Sequence, residues 1–100
     1  MHNDEMYIVS PAKALGMVLK RRRQVLGISQ EKLSCQLDLP RISIANLERG
    51  NRRLSFDLLF LLAEVLETSV GQIIHDTQAV MMGRDPTQPY SADYSHNNGA

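Results

Sequence analysis

Apolar residues recur along this chain at helical spacing in five runs, opened by serine or proline and separated by turn-forming residues. The first run holds Leu15, Val18, Leu19, Arg22 and Leu26 in helical register. Ser10 is a preferred N-cap, and Pro11 is tolerated at the first helical position because its missing N–H has no partner there. Gly27 suits the positive φ that ends a helix. The spacing predicts a first helix over 11–26. Ser29 then opens a second helix over 30–37, with Leu33 and Leu37 inward and Asp38 placed to take a left-handed turn. Pro40 presets φ for a third helix over 41–48, where Ile44 and Leu47 point inward and Gly50 ends the run. Ser55 opens a fourth over 56–66. Thr68-Ser69 opens a fifth over roughly 70–75, expected to bury Val70, Ile73 and Ile74.

The remainder divides simply. Residues 1–9 read as an N-terminal arm, 10–76 as one all-α domain, and 77–100 as a flexible tail. The tail is polar, contains Pro86 and Pro89, and offers little but Tyr90 and Tyr94 to bury. One hundred residues with 43% apolar and 22% charged content fit a single globular domain. No apolar run reaches the ~18 residues of a membrane span, and the N-terminus lacks the pattern of a signal peptide. The lone cysteine, Cys35, forms no internal disulfide, in keeping with a cytoplasmic location.

The net charge of zero conceals a strong polarity. Ten bases from Lys13 to Arg53 face three acids, Glu31, Asp38 and Glu48, which leaves +7. Elsewhere Arg84 stands alone against eight acids, which leaves −7. A basic block of this kind attracts polyanions to one side of a molecule. His2, His75 and His96 are isolated, with no metal-site spacing. No nucleophile–base pair and no phosphate-cradling glycine loop occurs. Neither an enzymatic activity, a metal nor a cofactor is expected.

The stretch SQEKLSCQLDLPRISIANLERG, residues 29–50, carries a family resemblance. Its pattern LG-x-SQ-x-x-L, followed by leucine at 37 and R-x-S-I-x-x-L-E-R-G, resembles the lambda-repressor-like (Cro/repressor, or XRE) helix-turn-helix domain over roughly 12–75. The resemblance implies a compact five-helix fold. Helix two would cross the DNA backbone and prop helix three, which would enter the major groove of double-stranded DNA.

It also implies roles for individual residues. Arg41, Ile42 and Asn46 would contact bases: Arg41 a guanine, Asn46 an adenine, Ile42 a thymine methyl. Ser29, Gln30, Ser43, Arg49, Asn51, Arg52 and Arg53 would contact phosphates, giving salt-sensitive affinity without sequence information. Arg23 and Glu48 would pair, fixing the recognition helix while the guanidinium still reaches a phosphate. Asp38 stands where the family usually has glycine. Pro40 stands where it often has serine or threonine, so a capping hydroxyl is missing. Cys35 occupies a usually exposed position of helix two, and nothing beyond general basicity points to a redox role for it.

Helix four is apolar almost all round. Between Phe56 and Leu66 only Asp57 and Glu64 are polar, whereas a surface helix usually buries a stripe of ~100°. Phe60 falls between Glu64 and Glu67 on the polar side. A second copy of the chain is the expected cover, through Phe60, Leu61, Val65, Ile73 and Ile74. The resulting expectation is a homodimeric, sequence-specific transcription regulator, most simply a repressor, on a palindromic operator. The alternative is the antitoxin of a toxin–antitoxin module, which the Ser10-Pro11 opening resembles, with a toxin protein held by the tail. A controller of a restriction–modification system fits the same residues.

Overall fold

The computed structural model describes residues 9–84. They form α1 (Pro11–Val25), α2 (Gln30–Leu37), α3 (Arg41–Glu48), α4 (Phe56–Val65) and α5 (Val70–Met81). The expected arm, apart from Val9, and residues 85–100 of the expected tail lie outside the described residues.

Each helix start follows from its cap. The hydroxyls of Ser10, Ser29, Ser55 and Ser69 accept from the backbone N–H three residues on, at 3.0–3.3 Å. Each bond satisfies one of the amides that a helix start leaves unpaired. At α3 the cap is Pro40, in extended backbone (φ −63°, ψ 148°) and with no side-chain bond to offer. The short α2 ends at Asp38, which is left-handed (φ 56°, ψ 46°). The Leu39 N–H donates back to the Ser34 carbonyl at 2.9 Å and closes the turn. Asp38 thus does the work usually given to glycine.

The interior is one layer of aliphatic side chains contributed by all five helices. Leu19, Leu33, Ile44, Leu62, Leu66 and Ile73 are its largest fully buried members. α1 packs on α3 and α5, α2 packs on α3 and α4, and α4 packs on α5. Helices as short as α2 and α3 are not stable alone, so this packing is what holds them. Gly16 lets α1 approach α3 closely, because a β-carbon there would overlap the Glu48 carbonyl. α5 leaves α4 at a bend of 100°, and among the described residues no single helix is long and apolar enough to cross a membrane.

Two sequence expectations need correction here. α5 does not stop near residue 75, and residues 77–81 are helix rather than tail. Thr77 and Val80 continue the stripe begun by Ile73, and both are buried. The Thr77 hydroxyl donates to the Ile73 carbonyl at 2.7 Å, which makes a polar residue acceptable there. Ile73 is no surface residue either. It is 2% exposed and belongs to the core, because α5 turns that face toward α1.

Candidate nucleic-acid interface

The site is built on the tie between α1 and the end of α3. Arg23 Nε donates to Glu48 Oε2 at 2.6 Å and Nη2 donates to Oε1 at 3.1 Å, a two-pronged pair with both residues under 10% exposed. Arg23 Nη1 donates to the Ile28 carbonyl at 2.8 Å. Gln30 Nε2 donates to Glu48 Oε1 at 2.9 Å, which joins the first residue of α2 to the same carboxylate. One buried acid therefore gathers α1, α2 and α3. All three guanidinium nitrogens of Arg23 are engaged and its side chain is 10% exposed, so the expected reach to a phosphate would draw on the second hydrogens of Nη1 and Nη2.

Held this way, α3 turns its start outward. Arg41 is exposed, and Ile42 is 60% exposed although apolar. Gln30, Arg41, Ile42, Ala45 and Arg49 line one shallow cleft between α2 and α3. Ser43 is half-buried. Asn46 is also half-buried, and its Oδ1 accepts from Arg49 Nη2 at 2.7 Å. The second lone pair of Oδ1 and both amide hydrogens of Asn46 remain beyond that bond. Ser29 spends a lone pair on its cap, yet its hydroxyl hydrogen remains to donate. Gln30 likewise retains one amide hydrogen beyond the one given to Glu48.

The basic loop after α3 forms the neighbouring surface. Asn51 and Arg53 are exposed and Arg52 is half-buried, beside the N-terminal turn of α1. Gly50 sits at φ +80°, and a β-carbon there would press on the Lys13 backbone, so the loop passes close over α1.

A second surface lies on α4 and α5. Phe60 and Leu61 are about half exposed, and Ile74 is exposed as well. Val65 is half-buried and packs against the core. Phe60, Leu61 and Val70 line an open apolar groove, with Asp57 and Glu64 among the other residues along it. Phe56, not anticipated, is 73% exposed and stacks edge-on against Phe60 at 5.0 Å.

Arg22 was missed as well. Its Nε donates to the Leu66 carbonyl and its Nη2 to the Glu67 carbonyl, both at 2.7 Å. The available signal was a charged residue in the apolar register of the first helix. Its acceptors, 44 and 45 residues away, give no local sign of themselves.

The fold has counterparts among known structures. The clp gene regulator ClgR from Corynebacterium glutamicum is 25% identical, with a TM-score of 0.69 over 73% of this chain and 95% of that one. The restriction-modification controller protein C.AhdI from Aeromonas hydrophila is 29% identical, with a TM-score of 0.59 over 62% and 94%. The controller protein C.Esp1396I, in a nucleoprotein complex, is 26% identical, with a TM-score of 0.65 over 74% and 96%. No curated protein matches the chain by sequence. Residues 19–73, more than half the chain, match the helix-turn-helix family, and they contain α2, α3 and the Arg23–Glu48 pair. The chain belongs to the lambda-repressor-like helix-turn-helix family.

Proposed function

We propose that this protein is a sequence-specific DNA-binding transcription regulator that seats α3 in the major groove and acts as a homodimer on a two-fold operator. The observation that carries the reading is the outward start of α3, with Arg41 and Ile42 exposed and its far end locked by the buried Arg23–Glu48 pair. A rigid helix with an exposed polar and apolar end suits base-edge contact, and the surrounding +7 block supplies sequence-independent attraction. The family match and the likeness to regulators of transcription support the same reading. Two copies joined through the exposed Phe60, Leu61 and Ile74 would present two α3 helices to half-sites one helical turn apart. Selection from a random duplex pool tests it. A two-fold motif should be enriched, and no enrichment even at low salt would remove the reading.

A specific form of this function is favoured by the likeness to C.AhdI and C.Esp1396I, both restriction-modification controller proteins. Under it, the selected motif lies upstream of genes for a restriction enzyme and its methyltransferase. A motif found only upstream of unrelated genes rules this form out.

A further inference from the structure

Arg22 and Arg23 are neighbours on one turn of α1, and they grip different parts of the molecule. Arg23 holds the end of α3 through Glu48. Arg22 holds the corner after α4, where Leu66 ends the helix and Glu67 is left-handed at φ 57°. We propose that Arg22 is a positioning residue. It fixes the α4–α5 face relative to the recognition helix, and so sets the half-site separation that a dimer accepts. The proposal rests on the homodimer reading above.

The packing gives Arg22 this leverage. α3 packs on α1 and α2, and α5 packs on α1 and α4. Two paths therefore join the recognition helix to the apolar face, one through α1 and α5 and the other through α2 and α4. Arg22 adds a polar bolt to the first, tying α1 to the corner between α4 and α5. Its Nε and Nη2 take two successive backbone carbonyls. A planar fork that engages two carbonyls fixes orientation as well as distance, which a lysine ammonium, as a point charge, does not. In a dimer joined through α4 and α5, any rotation at this corner is carried out to both α3 helices. One base pair corresponds to only about 3.4 Å along the duplex, so a small rotation changes which spacing fits.

The test uses the full chain as wild type, Arg22→Met and Arg22→Lys. Met keeps much of the stem's bulk without the charge, and Lys keeps the charge without the fork. Each is titrated with duplexes carrying two selected half-sites at the preferred separation and one base pair shorter or longer. A duplex with a single half-site is the control. In both variants the ratio of affinities for preferred and shifted spacing should fall by roughly tenfold, the worth of one hydrogen bond from a charged donor. Single half-site affinity and base preference should stay as in wild type. An unchanged ratio in both variants overturns the proposal, and so does equal weakening on every duplex, single half-site included. If Arg22→Met loses its cooperative melt, Arg22→Lys carries the decision. A wild-type chain that sediments as a monomer, or shows no spacing preference, sinks the dimeric reading and this assignment with it.

Discussion

Glu48 shows at the residue scale why burial decides what an ion pair is worth. Exposed pairs contribute about 0–1 kcal/mol, because water competes and the side chains lose freedom. Arg23 and Glu48 are buried, and the bonds to Ile28 and Gln30 complete their partners. Removing the carboxylate strands a buried guanidinium. Glu48→Ala is expected to lower stability by about 3–5 kcal/mol in urea unfolding, and a loss under about 1 kcal/mol would place the pair with the surface kind. On the proposed function, two exposed arginines should separate specificity from affinity. Arg41→Ala should relax preference at one base position by about 1–3 kcal/mol, while Arg53→Ala should weaken all sequences alike and lower the salt slope by about 1. Quantitative binding across a substitution series of the operator distinguishes them, and identical behaviour would displace Arg41 from the groove.

At the scale of the element, α2 and α3 were legible to the residue because their signals are local. Ser29 caps one, Asp38 ends it, Pro40 starts the next and Gly50 closes the turn after it. Asp38 also offers a test of the turn between them. An L-residue in the left-handed region is disfavoured and glycine is not. Asp38→Gly should therefore stabilise the fold by about 0.5–1 kcal/mol in thermal unfolding, and a destabilisation would mean that the aspartate side chain does more than tolerate the angle. The far half of α5 was not legible. Thr77 and Gln78 read as the start of a polar tail, and only contact with α1 continues the helix through 77–81. The same long-range packing decided that Ile73 points inward while its neighbour Ile74 points out. Periodicity alone leaves that choice open when two adjacent residues are both isoleucine. The partly apolar surface of α4 was visible in its composition, whereas the edge-on Phe56–Phe60 pair depends on side-chain geometry.

The whole molecule joins two surfaces of opposite character, a basic one on α2, α3 and their loops and an apolar one on α4 and α5. An exposed apolar patch rimmed by polar groups marks an interaction surface. Phe60→Glu should convert a dimer to monomers in sedimentation while leaving the melt nearly unchanged, since Phe60 is half exposed. An unchanged mass would move the interface elsewhere. The charge polarity adds an electrostatic consequence. Glu48 is one of only three acids in the basic block, and it sits at the foot of the recognition helix, next to Arg49. With both oxygens taken by Arg23 and Gln30, it shows no bare negative charge to an approaching duplex. Arg23 thereby acts as a shield. On the proposed function, losing it would unmask a carboxylate close to the incoming phosphates, and duplex binding should weaken through that charge alone.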